Sequence, residues 1–302
     1  MQTDRPFLGI LLMLGFCVLA PLGDSVAKLL GGQVGLGKLL LTRFLIQAVI
    51  LIPIVLWAGR RLWPPQGTFG LVLARTVLHI IGIGLMFSSL RFLPLADALA
   101  IAFVMPFIML LLGKLFLNEE VGPHRLIACA VGFVGTLLVI QPNFAEVGWP
   151  ALLPLGVAVT FAFFMLVTRK IAKELDPIDL QAISGLQATV ILLPLFWVFA
   201  DQPEVTKLTV STEVWWLLLA LGLLGTVAHL MMTWSLRFAP ASTLAPMQYL
   251  EIPFGTIIGW MVFKDLPNGL AALGILITIG AGLYVILRER RLSQPSTGPA
   301  EA

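Results

Sequence analysis

Two stretches of the chain, 146 residues apart, have nearly the same sequence: Ser89-Leu90-Arg91-Phe92-Leu93-Pro94-Leu95-Ala96 and Ser235-Leu236-Arg237-Phe238-Ala239-Pro240-Ala241-Ser242. Pro106-Phe107 likewise corresponds to Pro253-Phe254, and Gly135 to Gly282, at an offset of 147. Each copy lies between two long apolar segments. The correspondences predict a duplicated unit of several membrane helices, an arrangement typical of secondary transporters with the substrate site between the halves.

The composition places the chain in a membrane. Of its 302 residues, 59% are hydrophobic and 12% are charged, and the mean hydropathy is +0.98. A soluble domain carries roughly 25% charged residues, so we expect a polytopic membrane protein. The net charge of +3 is small and scattered, which argues against nucleic-acid binding.

Cofactor and metal chemistry have no sequence signal. Cys17 and Cys129 both lie inside apolar segments, so neither a disulfide framework nor a cysteine metal cluster is expected. We predict no bound cofactor and no metal site.

Ten segments are long and apolar enough to cross the hydrocarbon core, which takes about 20 helical residues. They are roughly 7–30, 36–58, 70–90, 95–117, 125–141, 149–169, 178–199, 214–236, 241–263 and 269–287. The tail from 291 to 302 is rich in Ser, Pro, Gly and Ala, and we predict that it is disordered.

The distribution of Lys and Arg predicts the orientation. With the N-terminus in the cytoplasm, thirteen basic residues lie towards cytoplasmic ends and six towards outer ends. An even number of spans returns the C-terminus to the cytoplasm. We therefore expect a multi-pass protein of the bacterial inner membrane with both termini in the cytoplasm.

The number of spans in each half predicts an inverted repeat. Five helices is an odd number, so the second half enters the membrane from the opposite side. Arg91 then lies outside and Arg237 inside, although the two are equivalent in sequence. The predicted units are residues 1–142, a first five-helix repeat, and residues 143–290, a second.

The motifs resemble the EamA-type branch of the drug/metabolite transporter superfamily. In the first half the resemblance rests on Ala74-Arg75, Leu90–Ala98, Pro106-Phe107, Phe116–Glu120 and Gly132–Gly135. In the second half it rests on Leu236–Ala241, Pro246–Glu251 and Gly280–Gly282. It covers the whole chain except the tail.

The resemblance implies a function and a place for the site. The family contains carriers, so it implies a secondary transporter and no enzyme, working by alternating access through a cavity between helices 1–4 and 6–9. Helices 5 and 10 would buttress this pathway. The substrate stays open between a vitamin or nucleoside-like compound such as riboflavin and an amino acid or drug; a membrane enzyme or a channel is a remote alternative.

Acidic residues inside predicted spans are candidates for function, because a charge at the bilayer centre costs on the order of 2.5–3.5 kcal/mol. Three occur: Asp24, Asp97 and Glu251. Asp97 follows a proline at the start of the fourth segment, where a carboxylate caps a helix. We therefore predict a structural role for Asp97.

Asp24 and Glu251 each have two interpretations. Asp24 either forms a pair with Lys28 four residues later on the same helix face or faces the cavity and binds a proton or a cationic substrate group. Glu251 is either a proton carrier in the cavity or a static partner of Arg43 or Arg75. Proton or exchange coupling is therefore the expected energy source for a small-molecule substrate.

Two histidines and two arginines lie within predicted spans. His79 and His229 occupy corresponding helices of the two halves, nearly one turn apart in register, and are either scaffold or substrate contacts and a proton relay. Arg43 is the better candidate for clamping an anionic group. Arg75 is predicted at a membrane interface, where it would tether its helix.

The remaining candidates are polar and aromatic side chains that could contact a planar substrate. Gln47 and Gln248 could form hydrogen bonds, and Phe103, Trp234 and Tyr249 could stack on a ring. Pro106 and Pro253 are predicted to provide local flexibility for gating, because proline interrupts helical hydrogen bonding.

Overall fold

A computed structural model describes residues 5–93, 95–140, 148–264 and 269–292, and these residues are almost entirely helical. The helices are α1 (Pro6–Leu30), α2 (Leu36–Trp57), α3 (Phe69–Ser89), α4 (Leu95–Ala102), α5 (Met105–Leu117), α6 (Pro123–Ile140), α7 (Leu152–Ala172), α8 (Pro177–Val198), α9 (Pro203–Thr206), α10 (Thr212–Phe238), α11 (Ala241–Leu244), α12 (Glu251–Phe263) and α13 (Gly269–Leu292). Short 3-10 segments occupy Trp149–Ala151 and Ala245–Leu250.

Six helices are individually long and apolar enough to cross a membrane: α1, α2, α3, α7, α8 and α10. Their outer faces carry exposed apolar side chains, and exposed tryptophans lie at helix ends. Trp57 at the end of α2 is 94% exposed and Trp197 near the end of α8 is 80% exposed, as expected for aromatic residues at a membrane interface. The chain is a multi-pass membrane protein.

The two predicted segments 95–117 and 241–263 are not continuous helices, and this prediction is corrected. Phe103 and Val104 separate α4 from α5, and the 3-10 segment 245–250 separates α11 from α12. Proline explains both breaks, because Pro106 cannot donate to the carbonyl of Ala102 and Pro246 cannot continue an α-helical ladder. Segments that are mostly apolar in sequence are therefore broken within their length.

The broken segments have the same internal register. Helices α4 and α11 begin at residues 95 and 241, and α5 and α12 begin at 105 and 251 and end at 117 and 263, always 146 residues apart. Helices α5 and α12 are each followed by a residue in the left-handed region, Asn118 with a φ of 52° and Lys264 with a φ of 64°. The two broken segments thus share these start and end points, whereas α4 runs to Ala102 and α11 ends at Leu244, before the 3-10 segment.

Helix α13 is longer than predicted. It continues to Leu292, beyond both the predicted segment end at 287 and the predicted start of the tail at 291. Residues 293–302 of that tail lie outside the described residues.

The helices pack in pairs through small residues. The most extensive contacts join α1 to α10, α6 to α13, α2 to α8 and α3 to α7. A Cβ on Gly9 would lie 2.5 Å from Cβ of Ala239, and the Ser235 hydroxyl donates to the Gly9 carbonyl over 2.6 Å. Such close approach supplies the dispersion contacts that hold helices together in lipid.

One end of the bundle, called the Gly32 end, is joined by contacts to backbone carbonyls. The Lys207 ammonium donates to the Gly32 carbonyl over 2.6 Å, and Arg91 donates to the Val34 carbonyl over 3.3 Å. Val34 also forms an isolated antiparallel bridge with Leu208. Arg91 therefore belongs to the Gly32 end.

The opposite end, called the Asp176 end, is joined by ion pairs and backbone contacts. Arg60 lies 3.0 Å from Asp176 and 3.1 Å from Asp179. Arg237 donates to the Leu175 carbonyl over 3.2 Å. Arg91 and Arg237, which are equivalent in sequence, thus contact different groups of loops.

Candidate functional site

A cavity of about 90 Å³ lies between the broken segments and helices α1, α2, α3, α7 and α10. Most of its wall is apolar, with phenylalanines such as Phe16, Phe103 and Phe161 among the lining residues. Four polar side chains interrupt this wall: Asp24, Arg43, His229 and Glu251. An apolar cavity with a few convergent polar groups is typical of small-molecule sites.

The two carboxyl groups of the wall come from different halves of the chain. Asp24 is half-buried on α1, and Glu251 is 8% exposed as the first residue of α12, where the helix N-terminus favours negative charge. Among the described residues, no ion pair within 4.0 Å joins either carboxyl group to a cation. The predicted alternative of a static pair between Glu251 and Arg43 or Arg75 is therefore wrong for this conformation.

Lys28, the other predicted partner for Asp24, lies with its ammonium 5.1 Å from the ring centre of Phe263. Asp24 interacts at longer range with Arg43 of α2. The side chain of Asp97 lies outside the described residues.

Arg43 and His229 form the most direct polar contact in the wall. Nη2 of Arg43 lies 2.9 Å from Nδ1 of His229 and 3.4 Å from the Gly225 carbonyl. Arginine can only donate, so Nδ1 of His229 accepts in this contact. Nδ1 also lies 3.0 Å from the Gly225 carbonyl oxygen, a contact that requires the other tautomer, with the proton on Nδ1. Nη1 of Arg43 and Nε2 of His229 have no hydrogen-bond partner among the described residues.

The two histidines, predicted on corresponding helices, stack against each other. The ring centres of His79 and His229 are 4.4 Å apart with an interplanar angle of 35°. His79 is fully buried just behind the cavity wall, with Phe164 at 4.5 Å and Phe44 at 5.1 Å. Within the part of the chain that the structure describes, neither ring nitrogen of His79 has a hydrogen-bond partner.

Arg75 does not lie at a membrane interface, and that prediction is corrected. Its side chain is fully buried because three hydroxyl groups on other helices surround the guanidinium. Nε donates to Thr168 over 2.8 Å, Nη1 to Ser184 over 2.7 Å and Nη2 to Thr233 over 3.3 Å. Arg75 therefore ties α3 to α7, α8 and α10.

Gln47 belongs to the same buried network and does not line the cavity. Its amide donates to the Gln181 backbone carbonyl over 2.8 Å and to the Gln181 side chain over 3.1 Å. Gln181 in turn donates to Thr233 over 3.0 Å. These contacts join α2, α8 and α10 beneath the cavity.

Gln248 and Tyr249 lie in the 3-10 segment behind the wall. The Gln248 amide contacts the sulfur atoms of Met109 and Met165 at 3.3 and 3.1 Å. The Tyr249 hydroxyl donates to the Phe103 carbonyl over 3.1 Å, and the two rings are 5.6 Å apart. This bond satisfies a carbonyl exposed by the break between α4 and α5.

The other candidates are placed as follows. Trp234 is half-buried on α10 and is not among the residues that line the cavity. Pro106 and Pro253 are buried in the first turns of α5 and α12. Of the ten binding or coupling candidates, Asp24, Arg43, Phe103, His229 and Glu251 line the cavity.

Sequence reasoning missed a cluster that closes the Asp176 end. Glu119, after α5, accepts hydrogen bonds from the backbone N–H groups of Ala241 and Ser242 over 3.0 and 2.8 Å. Its carboxylate also lies 3.6 Å from Nε of Arg169, which donates to the Leu236 carbonyl over 2.8 Å. The only sequence signal was the Asn-Glu-Glu motif, which does not reveal its partner.

Three comparisons bear on the identity of the chain. A riboflavin transporter from Rhizobium johnstonii is 32% identical over 72% of this chain and 70% of its own length. An S-adenosylmethionine uptake transporter from Rickettsia prowazekii is 24% identical over 94% of each. A crystal structure at 19% identity superposes with a TM-score of 0.73 over 94% of this chain and 97% of the other, which shows a shared fold.

The model of the EamA-like transporter family matches the chain twice, at residues 7–141 and 148–288. Together the two matches cover nearly all of the described helices. The predicted resemblance is therefore confirmed, as is the predicted class of function. This chain belongs to the EamA-like transporter family and is a membrane transporter of small metabolites.

Proposed function

We propose that this protein is a secondary transporter that carries riboflavin, or a flat compound of similar hydrogen-bonding chemistry, by alternating access. The observation that carries the proposal is the cavity wall, in which phenylalanine rings surround one guanidinium, one imidazole and two carboxyl groups. Aromatic walls bind planar rings, and the few polar groups orient them. The similarity to a riboflavin transporter supports the same substrate class.

The two carboxyl groups favour a second candidate. Asp24 and Glu251 face the same cavity, and a cationic metabolite would neutralise them. The similarity to an S-adenosylmethionine uptake transporter is consistent with such a cargo. Direct uptake of radiolabelled riboflavin and of radiolabelled S-adenosylmethionine into proteoliposomes distinguishes the two, because only a substrate accumulates inside the vesicles.

The proposed architecture is ten spans in two inverted five-helix repeats, residues 1–142 and 143–290. The helix start and end points that the two broken segments share support it, as do the two matches to one family model. The packing supports it too: the α1–α10 and α3–α7 contacts exchange under the repeat, while the α2–α8 and α6–α13 contacts map onto themselves. Such symmetry is typical of alternating-access carriers.

The proposed orientation places the Asp176 end in the cytoplasm of a bacterium, with the Gly32 end outside the inner membrane. Arg5, Arg60 and Arg237 all contribute contacts at the Asp176 end. An excess of basic residues is typical of cytoplasmic ends. Arg91 at the Gly32 end agrees with the inversion of the second repeat.

The conformation is closed towards the Asp176 end. Glu119 from the first half bridges Arg169, Ala241 and Ser242 from the second. At the Gly32 end, by contrast, a cavity of about 510 Å³ lies between α2, α3, α8 and α9. The central cavity of about 90 Å³ is below the roughly 300 Å³ of typical ligand pockets, so the halves must separate to admit a substrate.

Filling the central cavity is expected to stop transport. Ala228 is 1% exposed and lines the cavity, so Ala228→Leu occupies space that the substrate needs. Uptake of radiolabelled riboflavin into proteoliposomes should fall at least tenfold. Ala130→Leu on the exposed face of α6 is the matched control and should transport normally. Equal uptake by both variants would contradict the cavity as the pathway, and absence of riboflavin uptake by the wild type would contradict the substrate.

Glu251 is proposed to couple transport to protons. Glu251→Gln keeps the size of the side chain but cannot release a proton, so uptake driven by a pH gradient should fall at least tenfold while riboflavin counterflow without a gradient persists. Glu213→Gln, at the exposed start of α10, is the matched control. Gradient-driven accumulation that survives in both Glu251→Gln and Asp24→Asn would remove carboxyl coupling from the mechanism.

Glu119 is proposed to hold the Asp176 end closed. Glu119→Gln removes the charge that strengthens three contacts, each worth about 1.5–3 kcal/mol when charge-assisted. A cysteine replacing buried Leu244 should then react on the order of ten times faster with an impermeant maleimide from the Asp176 end, with Cys17 and Cys129 replaced by alanine. The control is Glu120→Gln, whose side chain is exposed. Identical labelling rates in the two variants would contradict the proposal that Glu119 holds the Asp176 end closed.

A further inference from the structure

Four buried polar atoms that lack a partner in the described part of the chain lie together beside the central cavity. They are Nη1 of Arg43, Nε2 of His229 and both ring nitrogens of His79. The three residues are 2%, 5% and 0% exposed. An unpaired buried polar group costs about 1–3 kcal/mol, so a cluster of them marks a place where a ligand can supply the missing hydrogen bonds.

The chemistry of these atoms defines what the ligand must offer. Nη1 of Arg43 has two N–H donors, and Nε2 of His229 is a donor when Nδ1 accepts from Arg43 and an acceptor when Nδ1 donates to Gly225. Neutral His79 adds one donor and one acceptor. Donors therefore outnumber acceptors, and the complementary ligand edge is rich in acceptor oxygen or nitrogen atoms.

The charge of the wall favours a neutral acceptor over an anion. Asp24 and Glu251 line the same cavity as Arg43 and His229. Asp24 interacts with both Arg43 and Glu251 at longer range, so a free carboxylate or phosphate ligand would meet two acidic groups there. Ring carbonyls accept hydrogen bonds without bringing this repulsion.

The shape of the surroundings favours a flat ring. Phe16 and Phe161 lie at 5.6 and 6.1 Å from His229 with interplanar angles of 87° and 60°. Phe164 lies 4.5 Å from His79, 5.5 Å from Phe161 and 6.2 Å from His229 between ring centres. Such rings offer faces and edges to a planar heterocycle, whereas they form few favourable contacts with a flexible chain.

We infer that Arg43 and His229, backed by His79, recognise the ring carbonyls of a planar heterocycle in the cavity. This inference rests on the proposed function and identifies the part of the substrate that Arg43, His229 and His79 recognise. Arg43 and His229 contact the carbonyl edge directly. His79 lies behind the wall, so it is a positioning residue that holds the His229 ring by stacking and becomes a direct contact only when the cavity widens.

The test combines a change in the protein with a change in the substrate. Riboflavin and 4-thioriboflavin, in which sulfur replaces one ring carbonyl oxygen and accepts hydrogen bonds weakly, are compared in proteoliposomes. The wild type should take up the thio compound with a KM about tenfold higher, the loss expected for one hydrogen bond. In His229→Phe the KM for riboflavin should rise about tenfold and the difference between the two substrates should fall below about twofold.

Two further variants control for effects on folding. His229→Gln places an amide N–H near the position of Nε2 and should restore a riboflavin KM within about threefold of the wild type. His124→Phe makes the same chemical change on the exposed face of α6, where His124 contacts only the Tyr284 hydroxyl among the described residues, and should change neither KM. Membrane levels of all variants are measured in parallel.

The outcomes separate the inference from the proposed function. If the wild type transports riboflavin and His229→Phe keeps both the KM and the discrimination against the thio compound, the inference is overturned and the function stands. If the wild type does not transport riboflavin, the proposed function fails first. If His229→Phe does not reach the membrane, the same comparison in His79→Phe decides, because loss of the stacked ring should also reduce the discrimination.

Discussion

The structure depends on one constraint of the hydrocarbon environment, which is that every buried polar group must find its partner within the protein. Arg75 shows this most clearly. Its guanidinium is fully buried, without a carboxylate within 4.0 Å among the described residues. Three hydroxyl oxygens accept hydrogen bonds from it. Because those hydroxyls come from α7, α8 and α10, satisfying one cation fixes the position of four helices.

Several of the groups that escape this rule lie together beside the cavity, on Arg43, His79 and His229, while others such as the Ser25 hydroxyl lie elsewhere. Gln47, Gln181 and Thr233 form a hydrogen-bonded layer, in which Oε1 of Gln47 has no partner among the described residues. The hydrogen-bonded layer joins three helices, whereas the unpaired atoms beside the cavity give it chemical preference.

The broken segments lie beside the cavity and its polar groups, between the two ends of the bundle. Each break frees backbone groups, and the Tyr249 hydroxyl satisfies one of them at Phe103. Phe103 and Tyr249 are themselves 146 residues apart, so corresponding points of the two halves meet beside the cavity. A carrier built from two related halves can exchange its closed and open ends by the motion of one half against the other.

Much of the fold could be predicted from hydropathy, because a span requires a long apolar run. The predicted bounds of α1, α2 and α3 lie within one residue of those observed. The breaks were missed because an apolar run does not show which carbonyls lack donors, although Pro106 and Pro246 gave the signal. Arg75 was misplaced because its three hydroxyl partners are more than 90 residues away in sequence.

For the candidate site, sequence could identify the residues but not their partners. Asp24, Glu251, Arg43 and the two histidines stood out as polar groups in apolar spans, and the structure brings them to one region. Which of these side chains pair with each other depends on the rotation and crossing angles of the helices. These angles cannot be read directly from the patterns of a single sequence. Glu119 was missed for the same reason, because its partners belong to the other half.

The inversion of the two halves is the central claim, and Phe92 and Phe238 test it directly because they are equivalent positions 146 residues apart. Each is replaced by cysteine in a protein whose native cysteines are alanine, and intact cells are treated with an impermeant maleimide. The account predicts that Phe92→Cys reacts in intact cells and that Phe238→Cys reacts only after lysis. Reaction of both cysteines from the same face of the membrane would contradict it.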